Sequence, residues 1–112
     1  MKTVFQKIMD GEIPSEPVYR DDLCMAVRDI NPQAPVHVIL FPAKPVERLS
    51  KASPEDAGLL AHMMLAVPEI AGKLGIGDGF RVVVNNGPAA GETVPHMHIH
   101  ILGGRQMAWP PG

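Results

Sequence analysis

Residues 95–102 constrain this chain more than any other segment, because three histidines there alternate with apolar residues. A period of two is typical of a β-strand, in which side chains two positions apart share a face. We therefore expect His96, His98 and His100 on one face, with their imidazoles about 6–7 Å apart along the strand. The other face would pack on a core through the apolar residues of the pattern, Met97, Ile99 and Ile101.

Two interpretations of this pattern are open. A half-buried strand with incidental histidines explains one histidine well, but it explains three of the chain's five histidines poorly. Imidazole is both a catalyst and a metal ligand near neutral pH. The pattern therefore indicates a functional site.

The composition predicts a single globular domain that spans residues 1–112. Apolar residues make up 46% of the chain and charged residues 20%, and the net charge is −2. This charge and the absence of a Lys/Arg run speak against nucleic acid as a partner. No apolar run is long enough to cross a membrane. A single cysteine, Cys24, cannot form an intramolecular disulfide, so we expect a cytoplasmic protein.

A short first helix is predicted just after the N-terminus. Thr3 can cap it and Gln6 can reach back to the capping residue. Gly11 is a plausible stop. The apolar residues that follow Thr3 have helical spacing and must dock on another element, and they are Val4, Phe5, Ile8 and Met9.

A long second helix is predicted to begin at residues 53–56, a capping serine followed by proline and two acids. Pro68 lies inside the pattern and should kink the helix or divide it in two. His62 lies off the apolar stripe, and we expect it to be solvated. The stripe consists of Leu59, Leu60, Met63, Met64, Val67, Ile70, Ala71 and Leu74.

Four further segments are predicted as strands, at residues 18–20, 24–30, 36–41 and 80–85. The order is helix, three strands, helix, two strands, which fits an α+β fold with a mostly antiparallel sheet. His37 lies inside the apolar third strand. A lone histidine there would more often be a core residue bonded to backbone, but a neighbouring strand also brings it near the three histidines.

The residues alone leave three kinds of chemistry open. Three imidazoles would suit zinc, although Glu92 is the only carboxylate close in sequence. Residues 85–93 offer an amide, a hydroxyl and backbone N–H groups around glycines, which suit a phosphoryl oxygen. A neutral imidazole whose other nitrogen is held by an acceptor is also a good nucleophile toward phosphorus, and this chemistry needs no metal.

Residues 96–102 match the motif His-φ-His-φ-His-φ-φ, where φ is apolar, and so resemble the histidine triad (HIT) superfamily. Residues 29–37 and the tail 103–112 look like the histidine triad nucleotide-binding (HINT) branch. The resemblance runs from about Val4 to Gly112. It implies a HIT-like fold, with a five-stranded antiparallel sheet, one short N-terminal helix and one long central helix. It also implies a homodimer.

The resemblance implies a purine nucleoside phosphoramidase that releases AMP or GMP and needs no cofactor or metal. His98 would be the nucleophile and would form a nucleotidyl-histidine that water then hydrolyses. His96 and His100 would hold phosphoryl oxygens, and His37 would support this network. In the same family, further positions contact the substrate, and here they are occupied by Asn85, Thr93, Asp29, Phe5, Ile8 and Trp109.

Five of the six substrate-binding assignments have a structural alternative. Asp29 could initiate the turn at residues 31–32, and Asn85 could supply turn conformation with Asn86-Gly87. Phe5 and Ile8 could be core residues, and the same holds for Trp109. Ala108 stands where many relatives have a histidine, a departure that affects the tail's part in leaving-group selection.

Two other functions remain open from the sequence. One is a dinucleoside polyphosphate hydrolase, which uses the same chemistry with another leaving group. The other is a non-catalytic zinc- or nucleotide-binding regulatory protein, whose three histidines would form a metal site.

Overall fold

The computed structural model describes residues 1–112 and contains one five-stranded sheet. Its strands lie in the order β1-β2-β3-β5-β4, and every neighbouring pair is antiparallel. With two helices, this confirms the predicted α+β class and the five-stranded antiparallel sheet. The strands are β1 (Pro17–Arg20), β2 (Cys24–Arg28), β3 (Val36–Pro42), β4 (Phe80–Val83) and β5 (Ile99–Gly103).

The short helix α1 (Val4–Met9) begins as predicted. The Thr3 hydroxyl accepts a hydrogen bond from the backbone N–H of Gln6, and the Gln6 side chain accepts one from the N–H of Thr3. This reciprocal pair is a capping box, which satisfies backbone donors that the first turn leaves free.

The long helix α2 (Ala57–Lys73) begins one turn later than the prediction. The cap at Ser53 exists, but it closes a 3₁₀ turn (Pro54–Asp56) that leads into the helix. Pro68 does not divide the helix, which continues through it. Neither helix is both long enough and apolar enough to span a bilayer.

One face of the sheet packs against α2 and forms the main core. The side chains of β2, β3 and β5 that point to this face alternate along each strand, as a pleated sheet requires. Met64, predicted in the helix stripe, is 51% exposed, because the buried face of α2 is narrower than the apolar stripe. The core consists of Cys24, Ala26, Val38, Leu40, Val46, Met63, Ala66, Val67, Ile70, Ala71, Ile76, Met97, Ile99 and Ile101.

The opposite face of the sheet packs against α1 through a smaller cluster. Phe5 of α1 stacks on Phe41 of β3, with ring centroids 4.7 Å apart. Met25 and Val27 of β2 complete this cluster, and Ile8 packs on its edge. α1 therefore holds only a few buried apolar contacts, and it covers the face of the sheet that carries the histidines.

The triad, His96, His98 and His100, alternates with apolar residues as predicted, but only the part of the motif from Ile99 onward is a strand. Met97, Ile99 and Ile101 enter the α2 core, so His98 and His100 between them point to the other face. β5 begins at Ile99, while His96 lies in a bend and His98 directly precedes the strand. The expectation of one strand through all three histidines is therefore wrong at its N-terminal end.

The prediction that His62 is solvated is incomplete, because its side chain contacts a carboxylate. Its Nε2 lies 2.7 Å from Oδ2 of Asp21, which also accepts a hydrogen bond from the Tyr19 hydroxyl at 2.7 Å. The other oxygen of Asp21 accepts from the backbone N–H groups of Leu23 and Cys24. This carboxylate ties α2 to the β1–β2 turn, and its hydrogen bonds hold its pKa well below the usual range.

Gly103 gives a test of the packing between β5 and the segment that follows α2. A Cβ at this position would lie 2.8 Å from Cδ1 and 3.0 Å from Cβ of Ile76. Gly103→Ala should therefore lower the free energy of unfolding by about 1–3 kcal/mol, as overpacking does in a dense core. Urea denaturation measures this loss. Gly79→Ala is the control, because nothing lies within 4 Å of its Cβ, and equal losses for both variants would refute the explanation.

Candidate active site

His98 is fixed by one hydrogen bond to its own segment. Its Nδ1 lies 2.7 Å from the carbonyl oxygen of His96. A carbonyl only accepts, so Nδ1 must carry the proton, and in the neutral ring Nε2 then holds a free lone pair. His98 is 7% exposed and lines a cavity on the α1 face of the sheet. The ring is therefore held in the tautomer that a nucleophile requires.

His96 is fully buried, and both of its ring nitrogens are used inside the protein. Nε2 donates to the carbonyl oxygen of Pro42 at 2.7 Å, which leaves Nδ1 to accept from the Thr3 hydroxyl at 2.6 Å. Phe5 packs edge-on against the ring, with centroids 5.5 Å apart. The geometry therefore differs from the expectation that His96 contacts phosphoryl oxygens, because no ring nitrogen remains to do so.

His100 takes its tautomer from a neighbouring strand. His37 Nδ1 accepts a hydrogen bond from the backbone N–H of Gln33 at 3.0 Å. The proton of His37 therefore sits on Nε2, which donates to Nδ1 of His100 at 2.9 Å. Neutral His100 then carries its own proton on Nε2. The β3–β5 register, which pairs Ile39 with His100, places His37 diagonally across from it on the same face.

Burial keeps three of the four site histidines neutral. Desolvation lowers the pKa of His37, of His96 and of His100, the last to about 4, because a charged ring loses its hydration in the interior. Positive charge on His98 or His37 would lower the pKa of His100 further. These tautomers are therefore the stable state of the site at neutral pH.

The cavity beside His98 and His100 has a volume of about 380 Å³, which falls in the range of small-molecule sites. Four of the substrate-binding residues predicted from sequence line it, namely Phe5, Ile8, Asp29 and Thr93. The sequence missed much of the remaining wall, which comes from loops and from β3. Those residues are Ile13, Pro14, Ser15, Ile30, Ile39 and Val94.

Asp29 starts a turn and also borders the cavity. Its Oδ1 accepts a hydrogen bond from the N–H of Asn31 at 2.8 Å and so starts the turn. Its Oδ2 lies 3.4 Å from Nε2 of His37, and the side chain borders the cavity. Each carboxylate oxygen has two lone pairs, so the side chain retains acceptor capacity beside the cavity.

Two predicted site residues, Asn85 and Trp109, do not line the cavity. Asn85 follows β4, which pairs with the edge of β5 that faces away from β3. Trp109 is 82% exposed in the tail beyond β5. Neither side chain is therefore part of this cavity wall.

Glu92, the carboxylate nearest to the triad in sequence, anchors the loop before it. Arg48 donates to both carboxylate oxygens, at 2.9 and 2.8 Å, and the N–H of Gly87 donates to one of them at 2.9 Å. The guanidinium lowers the pKa of Glu92 to about 2. This bidentate salt bridge between Arg48 and Glu92 joins residues 87–92 to the segment after β3 and so orders the loop that carries Thr93.

The three triad imidazoles do not converge on one point as metal ligands would. His96 turns both nitrogens toward protein groups, away from the cavity. Two other sets bring possible ligand atoms within 4.8 Å of one another: Asp29, His37 and His100, and Asp21, Cys24 and His62. The geometry therefore disfavours the interpretation in which the whole triad is a metal site.

Comparison with known proteins identifies the family. A model described as the HIT domain matches residues 10–107. The chain belongs to the HIT domain family. It is 59% identical over 110 residues to an uncharacterized HIT-like protein of Synechocystis sp., across 98% of this chain and 96% of the relative. An uncharacterized HIT-like protein of Synechococcus elongatus is 53% identical over the same shares of both chains.

Solved structures confirm the fold of this HIT domain. A HIT family hydrolase from Legionella pneumophila superposes with a TM-score of 0.96 at 40% identity, over 99% of this chain and 100% of that one. A histidine triad nucleotide-binding protein from Candida albicans gives 0.82 at 28% identity, over 97% of this chain and 83% of that one. This HIT domain therefore has the fold of HIT family hydrolases.

The low pKa of His100 predicts a loss of stability on acidification. Its pKa is about 4 in the folded state against 6.5 for an unperturbed histidine, so only the unfolded chain takes up this proton between these values. Stability should therefore fall as pH decreases, by about 1–2 kcal/mol between pH 7 and pH 5 from this residue.

Urea denaturation of wild type and His100→Asn at both pH values measures this contribution. The variant should lose less stability than wild type over the interval. Equal losses would mean that His100 titrates alike in the folded and unfolded states.

Proposed function

We propose that this protein is a purine nucleoside phosphoramidate hydrolase of the HINT branch that releases AMP or GMP. The observation that carries the proposal is the hydrogen bond from His98 Nδ1 to the His96 carbonyl, at the wall of an apolar cavity. It leaves the Nε2 lone pair of a neutral imidazole available for attack on phosphorus. The family membership and the likeness to a nucleotide-binding relative support the substrate class.

In the first step, Nε2 of His98 attacks the α-phosphorus. The new Nε2–P bond forms as the P–N bond to the amine breaks, and the amine leaves with that electron pair and a proton from solvent. The Nδ1–H···O=C bond to His96 stabilises the positive charge that the ring gains. The Nε2–H of His100 donates to a phosphoryl oxygen, because His37 holds its other nitrogen.

In the second step, water attacks the phosphorus of the nucleotidyl-histidine. The bond to His98 breaks with its electron pair returning to Nε2, the attacking water loses one proton to solvent, and the nucleoside monophosphate is released. The apolar side chains of Phe5 and Ile8 take the purine, and Asp29 accepts hydrogen bonds from the ribose hydroxyls. Thr93 lies at the cavity wall on the side of the loop that precedes the triad.

The nucleophile gives the main test. His98→Asn should lower turnover of a fluorogenic adenosine phosphoramidate by at least about 10³-fold, because no other side chain can form the covalent intermediate. AMP binding, measured by calorimetry, should persist. His62→Asn is the matched control, since it removes a histidine outside the cavity and should leave turnover unchanged. Near-wild-type turnover of His98→Asn would refute the proposal.

The same assay separates the alternatives left open by the sequence. Turnover by wild type should survive exhaustive chelation, and its loss would support the zinc-binding interpretation. Rates on the adenosine phosphoramidate and on a diadenosine polyphosphate are compared under identical conditions. A faster reaction with the diadenosine polyphosphate would support the dinucleoside polyphosphate hydrolase instead.

We also propose that the protein is a homodimer. Met64 and Leu65 of α2 are 51% and 74% exposed, and Trp109 of the tail is 82% exposed. β4 is an edge strand with unpaired backbone groups, and such edges commonly serve as interfaces. A partner chain that covers this side would bury Trp109 and complete the surroundings of the site.

Substitution on α2 tests this assembly. Leu65→Glu should shift the protein from dimer to monomer in light scattering coupled to gel filtration, because it would bury a charge at the interface. Leu23→Glu, in the β1–β2 turn at the other edge of the sheet, should remain dimeric. A monomeric wild type, or a dimeric Leu65→Glu, would refute the proposed interface.

We propose that the protein is cytoplasmic. Cys24 is a free and fully buried thiol, and burial raises its pKa to about 12. A lone unpaired cysteine fits a reducing compartment. Fluorescence microscopy of a tagged chain tests this location.

A further inference from the structure

Thr3 makes a contact that its role as a helix cap does not require. Its hydroxyl already accepts a hydrogen bond from the N–H of Gln6 at 3.2 Å, which caps α1. The same hydroxyl lies 2.6 Å from Nδ1 of His96, a residue 93 positions away in the chain. One side chain therefore joins the start of α1 to the first histidine of the triad.

The direction of this bond follows from the other end of the ring. Nε2 of His96 donates to the Pro42 carbonyl, so the neutral ring presents a lone pair at Nδ1. The Thr3 hydroxyl must then donate to it. The His96 ring is held at both ends, by α1 on one side and by the end of β3 on the other.

The backbone of His96 has no hydrogen-bond partner in the sheet. β5 begins only at Ile99, so the His96 carbonyl lies outside the ladder. The Met97 N–H lies in the same planar peptide unit as the His96 carbonyl and donates to the Val46 carbonyl at 2.7 Å, so it constrains one direction of that unit. The His96 carbonyl is the acceptor for His98 Nδ1–H. Its direction therefore depends on two anchors, the Met97 N–H bond to Val46 on one side of the peptide unit and the His96 side chain on the other.

We propose that Thr3 is a positioning residue, whose hydroxyl anchors His96 so that the His96 carbonyl aligns His98 for attack. This inference rests on the proposed function, because it assigns Thr3 a part in the same reaction. Thr3 does not line the cavity that holds Phe5, Asp29 and His98. It should therefore affect the chemical step and leave substrate binding largely unaltered.

The first test is kinetic. Thr3→Val keeps the shape of the side chain and removes the donor. It should lower kcat on the adenosine phosphoramidate by about tenfold, with KM within about twofold of wild type, which is the scale of one lost hydrogen bond to a buried ring. Thr3→Ser retains the hydroxyl and should restore kcat to within about twofold.

Gln6→Ala separates positioning from helix capping. It removes the amide oxygen that accepts from the Thr3 N–H, and so breaks half of the capping box, but it leaves the Thr3 hydroxyl on His96. It should lower the melting temperature while kcat stays at the wild-type value. A loss of kcat equal to that of Thr3→Val would show that capping alone matters and would overturn the proposal.

The second test does not depend on turnover. In ¹⁵N NMR spectra, His96 should show a protonated Nε2 and a hydrogen-bonded, unprotonated Nδ1. Thr3→Val should move the Nδ1 resonance toward that of a free ring nitrogen and perturb the Nδ1–H of His98. Thr3→Ser and Gln6→Ala should change neither. Unchanged resonances in Thr3→Val would overturn the inference even if its kcat fell.

The two tests also distinguish this inference from the proposed function. An inactive wild type would refute the phosphoramidase, while the NMR response of His96 and His98 would still show whether Thr3 holds them. An active wild type with unperturbed Thr3→Val would refute the positioning role alone.

Discussion

Burial of Met97, Ile99 and Ile101 under α2 is the constraint on which the site depends. These three side chains enter the main core, so the residues between them must face the other way. That opposite face is covered only by the short helix α1 and its small cluster around Phe5 and Phe41. One face of the sheet therefore supplies the main core, and the other face can hold polar rings beside a cavity.

The second constraint is that buried imidazoles need hydrogen-bond partners. An unpaired ring nitrogen in the interior costs about 1–3 kcal/mol, and no buried side-chain nitrogen or oxygen in this protein lacks a partner. The partners are groups of fixed polarity, such as the Pro42 and His96 carbonyls and the Gln33 N–H. Fixed donors and acceptors leave each ring one tautomer, so the same contacts that permit burial also set the chemistry.

The sequence predicted the parts of this structure that local physics determines. The capping box at Thr3 and Gln6, the alternation of the triad and the mostly antiparallel sheet all follow from spacing and residue type. Periodicity gives the direction of a helix face but not its width, which explains why Met64 was placed in the core. It also could not locate the start of β5, because a ladder needs a partner strand as well as a β-prone sequence.

The contacts that the sequence could not predict are those between distant segments that share no pattern. The Thr3–His96 and His62–Asp21 bonds join residues 93 and 41 positions apart. From the sequence, Thr3 was expected only to cap a helix, and His62 was expected to be solvated. The cavity wall at Ile13 and Ile30 was also not predicted, because these residues lie in loops, which carry no periodic pattern. Two ring nitrogens, Nε2 of His98 and Nε2 of His100, have no protein partner and are not sealed from solvent. At this one cavity, Nε2 of His98 presents a lone pair and Nε2 of His100 presents an N–H donor. Attack on a phosphoryl group requires this combination of a nucleophile and a donor to the phosphoryl oxygen.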